Sequence, residues 1–369
     1  MADSEGSPNA VVDRCELPGA LGSGNEQQGE EMLFYRRDER EDPFYQLYTD
    51  PRWLFPLQGP PLDFPLILDV ETTNRCNLDC VFCSRQLMAR SEGNMSFEVW
   101  RRIVDEAAVH GAAVRLNGWG EPLLHPDVVE QIQYASARGV LTKIYTNGTA
   151  LTRGKMRRLM QAGLAELQFS MQGLTSRRYG VLRPPARYRR FHAQVSLAAT
   201  ARVEAGAARP FLSLLTSVDA ADLREAPPDV FARDWLTLVD KVAIDTTLYT
   251  YVAHTESAQA HLADQLAPAV HVPCVDISLK LAIHRGGEIV MCGRDYDAHP
   301  YYTLGQVGRD SIHAAWHSPR LQRHRELVGE ARQHSRFPLC RHCYTTTTKY
   351  EHLKARQALR GGSFTLEAH

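Results

Sequence analysis

No stretch of 18 or more apolar residues occurs in the 369-residue chain, which argues against a transmembrane helix. The opening residues, Met1-Ala-Asp-Ser-Glu5, lack both a basic n-region and an apolar h-region, so a cytoplasmic rather than a secreted protein is expected. An excess of either charge is missing too. The 42 Lys and Arg against 43 Asp and Glu leave a net charge of −1, so bulk electrostatics predict no nucleic-acid partner. The arginines from Arg177 to Arg190 read as a solvated helix face. Cysteine is scarce and grouped: Cys76, Cys80 and Cys83, then Cys274, Cys292, Cys340 and Cys343, with Cys15 alone. In a long chain without an export signal, that grouping fits metal binding rather than disulfides.

The length exceeds one average domain and predicts two. Residues 1–31 are rich in Gly, Ser, Asn, Gln and Glu and almost without aromatics, a composition too poor in burial to offset ordering. They are predicted to be disordered, with Cys15 an unliganded thiol. Residues 32–65 carry Phe34, Tyr35, Phe44, Tyr45, Tyr48, Trp53, Leu54 and Phe55 among prolines and read as an irregular packing segment. From 66 to 255 strand and helix patterns alternate. Strands are expected at Leu66–Val70, Val114–Leu116, Leu141–Tyr145, Leu167–Ser170, Phe211–Thr216 and Lys241–Ile244. Ser96 can cap a helix with apolar positions Phe97, Trp100, Ile103, Val104 and Ala107. His125-Pro126-Asp127 opens another that stops at Gly139, and Lys155–Gln161 forms a third ending at Gly163. Such alternation predicts a parallel sheet with its ligands at the strand carboxyl ends.

The stretch Glu71-Thr-Thr-Asn-Arg-Cys76-Asn-Leu-Asp-Cys80-Val-Phe-Cys83 places three cysteines at C-x3-C-x2-C spacing directly after an apolar run. Thiolates on a short loop hold iron–sulfur clusters. Three of them fill three corners of a four-iron cube and leave one iron open to the amino and carboxylate groups of S-adenosylmethionine. A structural zinc closes with four ligands, and no further Cys or His follows before His110.

At these residues, including the aromatic Phe82 before the last cysteine, the chain resembles the radical S-adenosylmethionine superfamily. The resemblance implies a partial (β/α)6 barrel and a reduced [4Fe-4S] cluster. It also implies cleavage of the cofactor to methionine and a 5′-deoxyadenosyl radical that abstracts hydrogen. The polar and glycine clusters each follow a predicted strand: Asn117-Gly118-Trp119-Gly120-Glu121-Pro122, Thr146-Asn147-Gly148, and Ser170-Met-Gln-Gly173. By resemblance, Gly118, Gly120 and Glu121 belong to the segment that binds the cofactor's amino group. Trp119 is a mild departure from a looser glycine-rich pattern. Asn147 and Ser170 look like the residues that approach its ribose or carboxylate, and Arg183 can pair with the carboxylate.

Further on, Ser278–Ile283 and Glu288–Met291 read as a hairpin around Arg285-Gly286-Gly287. Cys274, Cys292, Cys340 and Cys343 give C-x17-C-x47-C-x2-C. A Leu304-Gly-Gln-Val307 turn leads into a helix with Ile312, Ala315 and Trp316, then Leu321 and Leu327. This pattern over 270–346 resembles the SPASM or twitch extension of the superfamily, with Gln306 in place of the usual Asn. It implies one auxiliary [4Fe-4S] cluster, although four thiolates also suit a closed zinc site. Residues 347–369 read as a helix and tail.

An auxiliary cluster beside the substrate can accept an electron, which favours dehydrogenation. The expected activity is therefore oxidation of a sugar, aminocyclitol or nucleoside-type small molecule in antibiotic or other natural-product biosynthesis, with a flavodoxin or ferredoxin-type reductant. The alternatives are peptide or protein modification, which relatives commonly pair with an amino-terminal winged-helix-like domain, and epimerisation, which needs a free cysteine donor. A small molecule is preferred to a peptide because residues 1–65 are too short for that domain. A scaffold without chemistry is the non-enzymatic alternative. His284, Asp245, Asp276, Arg294, Asp295 and Tyr296 are candidates for a proton acceptor.

Overall fold

Short buried runs, as in Ile67–Val70 and in Glu166–Gln172 with only Ser170 half-exposed, are too short for a helix and suit strands covered on both faces. The structure, a computed structural model, describes residues 32–36, 41–48, 62–218, 220–245, 274–329 and 336–340. The expectations for residues 1–31, Cys15, Cys343 and 347–369 lie outside the described residues.

All six expected parallel strands form: β2 (Ile67–Val70), β3 (Ala113–Leu116), β4 (Thr142–Thr146), β5 (Glu166–Gln172), β6 (Phe211–Ser217) and β7 (Lys241–Asp245). Each pairs in parallel with the next, giving an unclosed partial barrel. Helices α2 (Phe97–His110), α3 (Val128–Ser136), α4 (Arg153–Gln161), α5 (Ser176–Leu182) with α6 (Tyr188–Glu204), and α7 (Ala220–Glu225) with α8 (Pro228–Trp235) return the chain between strands. Ser96 caps α2 as expected, its hydroxyl accepting from Val99 N at 3.3 Å.

The period of two along the strands divides the interior. Leu68, Val70, Val114, Leu116, Ile144, Leu167, Phe169, Leu212 and Val242 join one apolar core with Trp100, Ile103 and Leu159 from the helices. The intervening Asp69, Arg115, Lys143, Glu166, Ser213 and Lys241 are buried too. They survive burial because they are paired. Arg115 grips both Asp69 oxygens at 2.6 Å, and Lys143 and Lys241 lie 2.9 and 3.5 Å from Glu166.

Three expectations need correction. The irregular segment at 32–65 contains strand β1 (Met32–Arg36), antiparallel to β7, and helix α1 (Pro43–Tyr48). Its strand has no local partner in sequence, so only the exposed edge of β7 reveals it. The hairpin does not begin at Ser278. Residues Val275–Leu279 form a short helix, α9, in which Ser278 Oγ donates back to the Cys274 carbonyl at 2.9 Å, and strand β8 starts at Lys280. The turn at 304–307 is instead largely strand β10 (Thr303–Gln306) beside β9 (Glu288–Val290), and the helix beyond is two, α10 (Ile312–Trp316) and α11 (Pro319–Gly329).

Strand β8 (Lys280–Ile283) pairs in parallel with β2, so the carboxyl-terminal hairpin continues the barrel sheet in the order β1-β7-β6-β5-β4-β3-β2-β8-β9-β10. Both cysteine groups are thereby attached to one ten-stranded sheet. Among the described residues no helix is long and apolar enough to cross a membrane.

Candidate functional site: two cysteine centres joined by one sheet

The loop after β2 owes its shape to backbone bonds with other strand ends. Arg75 O accepts from Glu121 N at 2.8 Å, while Asp79 N and Val81 N donate to the carbonyls of Pro184 and Leu182 at 2.9 and 3.1 Å. Asn74 closes the loop on itself, accepting from Gly93 N at 2.7 Å and donating to Ser91 O at 2.9 Å. Cys76, Cys80 and Cys83 are free thiols held on this frame. Burial raises the pKa of all three, Cys76 to about 11. Thiolates at these positions therefore require a positively charged partner, which an iron cluster supplies.

The glycines after β3 work differently from the expectation that they admit a ligand. A Cβ on Gly120 would stand 2.8 Å from both Arg75 O and Asn74 Cα, and one on Gly118 would stand 2.7 Å from Glu71 Cβ. Both are glycine because the backbone packs directly on the cysteine loop.

Glu121 is buried, and its carboxylate accepts from Leu123 N at 3.0 Å, Thr146 Oγ1 at 2.7 Å and Asn147 N at 2.6 Å. Burial raises its pKa even against these bonds. Three of about four acceptor positions are occupied, leaving one. Asn147 reaches the cluster loop, with Nδ2 3.0 Å from Asn77 Oδ1 and 3.8 Å from Cys76 Sγ. Arg183 is buried and donates through Nε to Gln172, while its Nη1 has no hydrogen-bond partner among the described residues. Its charge acts on the Cys80 and Cys83 thiols. An orphaned guanidinium nitrogen beside the cysteines fits the carboxylate of an amino-acid-like cofactor. Phe82 is half-buried on the loop, and Ser170 lies half-buried on β5 opposite Leu215.

At the second centre, Cys274, Cys292 and Cys340 line one cavity together with Met291, Tyr302 and His324. Three cysteines lining a common cavity fit a cluster, with Cys343 as the expected fourth ligand outside the described residues. His324 Nε2 lies 3.9 Å from Cys340 Sγ. No motif signals this histidine, because it sits on α11 in a sequence of ordinary helical polarity.

A polar cluster gathers at the ends of β2 and β8, and its partners Arg90 and Arg285 carry no sequence motif. Glu71, at the end of β2, pairs with Arg90 at 2.8 Å and accepts from Trp119 N and Arg285 N at 3.3 and 3.2 Å. The Trp119 ring meets Tyr296 edge-on at 5.9 Å. Beside Glu71, at the end of β8, His284 is 2% exposed and neither ring nitrogen has a hydrogen-bond partner among the described residues. Burial lowers its pKa, so the ring is neutral. Of the other candidate acceptors, Asp276 pairs with Lys280 at 3.1 Å, Arg294 lines the second cavity, Asp245 lies at the end of β7, and Asp295, whose charge acts on His284, accepts from His299 N at 2.9 Å.

Comparison with known proteins agrees with this layout. Residues 70–204 match the Radical SAM superfamily, and residues 274–344 match SPASM, an iron–sulfur cluster-binding domain. A PqqA peptide cyclase of Rhodopseudomonas palustris is 37% identical over 111 residues, 30% of this chain and 29% of that protein. The chain thus spans about three-tenths of the length of such curated relatives. BtrN in complex with AdoMet and 2-DOIA aligns over 76% of this chain and 93% of its own, with a TM-score of 0.51 and 17% identity. Streptococcus suis SuiB bound to precursor peptide SuiA aligns over 71% of this chain and 66% of its own, with a TM-score of 0.50 and 19% identity. At these identities the two structures share the fold.

One expectation is overturned here. A small molecule was preferred to a peptide as substrate, yet curated relatives are named peptide cyclases and SuiB is seen with a precursor peptide. The preference rested on an amino-terminal segment judged too short for a peptide-gripping domain, which is no measure of what the barrel face itself can hold. Matching domains, two cysteine centres on one sheet and the partial-barrel fold together place this chain in the radical S-adenosylmethionine superfamily, with a SPASM domain at its carboxyl end.

Proposed function

We propose that this chain is a peptide-modifying radical S-adenosylmethionine enzyme that oxidises its substrate. The observation that carries the reading is the edge-on contact of Trp119 with Tyr296, which joins the segment after β3 to the one after Cys292, with His284 near Glu71 just past the end of β8. The peptide class is supported by the curated relatives named PqqA peptide cyclases and by SuiB with its precursor peptide.

Cys76, Cys80 and Cys83 would hold the first [4Fe-4S] cluster; Cys274, Cys292 and Cys340, with Cys343, would hold the auxiliary one. When bound, the reduced first cluster with S-adenosylmethionine supplies a hydrogen-abstracting 5′-deoxyadenosyl radical, and the second cluster supplies an electron acceptor. The chain's own residues do the rest. Arg183 Nη1 would pair with the cofactor carboxylate, and the remaining Glu121 acceptor position would take its ammonium. Asn147 and Ser170 hydrogen-bond its polar edge, and Phe82, Gly118 and Gly120 shape the loop around it.

A carbon that has lost a hydrogen atom must then lose one electron and one proton to reach the oxidised product. His284, neutral and without a hydrogen-bond partner among the described residues, is the group to take that proton. A cytoplasmic location, where thiols stay reduced, fits this cysteine chemistry.

The test uses the cluster-loaded protein under anaerobic conditions with S-adenosylmethionine, dithionite and synthetic peptides made from any short reading frames found beside its gene. Mass spectrometry is expected to show the peptide lighter by two hydrogens, with a matching amount of 5′-deoxyadenosine. Unchanged peptide alongside continuing 5′-deoxyadenosine release would overturn the substrate class.

A further inference from the structure

Asp63 precedes β2, while His313 and His317 lie four residues apart on α10 and just past its end, so three metal-ligating side chains from distant stretches meet at one point. Asp63 Oδ1 is 3.4 Å from His313 Nε2, and the ligating atoms of all three residues lie within 4.8 Å of one another. Tetrahedral nitrogen and oxygen ligands at about 2.0–2.1 Å from an ion stand about 3.4 Å apart, so the Asp63–His313 spacing already fits and the third ligand has to close in from within 4.8 Å. His110, at the end of α2, sits 3.6 Å from the other Asp63 oxygen, and its ring stacks between Phe64 at 4.2 Å and His313 at 5.4 Å.

The segments that carry these ligands are held together by further hydrogen bonds, one of which His317 Nε2 itself makes. Glu106 accepts from Ile312 N and His313 N at 3.0 and 2.8 Å, and Trp316 Nε1 donates to Leu62 O at 2.6 Å. His317 Nε2 is 2.7 Å from the Asp63 carbonyl oxygen. The helix is therefore held in place with its histidines turned to Asp63.

We propose that Asp63, His313 and His317 form a binding site for a divalent transition-metal ion of the zinc class, with His110 positioning the carboxylate. Two imidazoles and a carboxylate suit zinc, nickel or copper rather than magnesium or calcium, which prefer all-oxygen sites. No cysteine takes part, so the site is separate from both iron–sulfur centres. It lies ahead of β2, at the strand end opposite the cluster loop, where it would clamp the α10 helix of the carboxyl-terminal part to the barrel. Its role is structural, and cofactor cleavage does not depend on it.

The experiment titrates zinc chloride into the anaerobic, cluster-loaded protein in a calorimeter, with iron counted before and after. The expected result is one equivalent of zinc at micromolar concentration and a raised melting temperature. Both are lost in the His313→Ala/His317→Ala double variant at unchanged iron content. Asp63→Asn, on an exposed side chain, serves if the double variant does not fold and should also lose the equivalent. His110→Ala should weaken binding about tenfold, as removal of a residue that orients a ligand does. Equal zinc uptake by wild type and the variants, or no uptake at these concentrations, would overturn the site.

Discussion

His125 shows how a single side chain can be committed by its backbone partners. Its Nδ1 accepts from Asp127 N at 3.0 Å, which leaves Nε2 to donate to Met95 O at 3.0 Å, so the bonded ring is the neutral tautomer. Burial lowers its pKa, as it does that of His284. The sign follows directly: below the ordinary imidazole value the unfolded chain takes up protons that the folded chain refuses. Stability is therefore fully present above about pH 6.5 and falls as the pH drops, by up to about 1.4 kcal/mol per unit for each such group. Urea midpoints at pH 7.5 and 5.5 should show this loss, and His125→Asn should reduce the difference. Residues of this kind leave little trace in sequence. His125 was legible only as a helix opener, and Glu71 only as the start of the cysteine stretch.

Strand β2 is the element on which the molecule turns, with β3 on one side and β8 on the other. Asp69 at its centre bonds Arg115 of β3 at 2.6 Å and lies 3.4 Å from Lys280 of β8. Burial alone would raise the Asp69 pKa, and these two cations lower it below its ordinary value. Asp69→Asn takes the counter-charge from the buried Arg115, while Lys280 keeps Asp276, and should cost about 3–5 kcal/mol, measured as a shift of the denaturation midpoint. The six parallel strands were legible because each is a short apolar run between turn signals. The charged inner layer was not, since alternate residues such as Asp69, Arg115 and Lys143 read in isolation as solvent-facing. β1 escaped for a related reason: its partner β7 lies far along the chain.

At the scale of the whole molecule, the two cysteine centres should be separable. The reconstituted protein should carry about eight irons, as two four-iron clusters require. Cys83→Ala should remain folded, lose about half of the iron and release no 5′-deoxyadenosine. Cys340→Ala should lose a similar share of iron yet keep cofactor cleavage while product formation collapses. Iron analysis with electron paramagnetic resonance, with and without S-adenosylmethionine, checks both. Retained cleavage in the first variant, or full product yield in the second, would contradict the division of labour.

What the sequence by itself determined is the chemistry carried at close spacing. Three cysteines within eight positions of Cys76–Cys83 must share a loop whatever the fold, and βα alternation forces a parallel sheet with that loop at its carboxyl edge. Tertiary structure decided everything that depends on approach between distant segments. It made Gly120 a packing residue against Arg75, enclosed His284 beside Glu71, set His324 by Cys340, and brought Asp63 to His313 and His317. The physical reason is that spacing along a chain constrains distance only over a few residues. Beyond that, strand order and helix packing set which side chains meet.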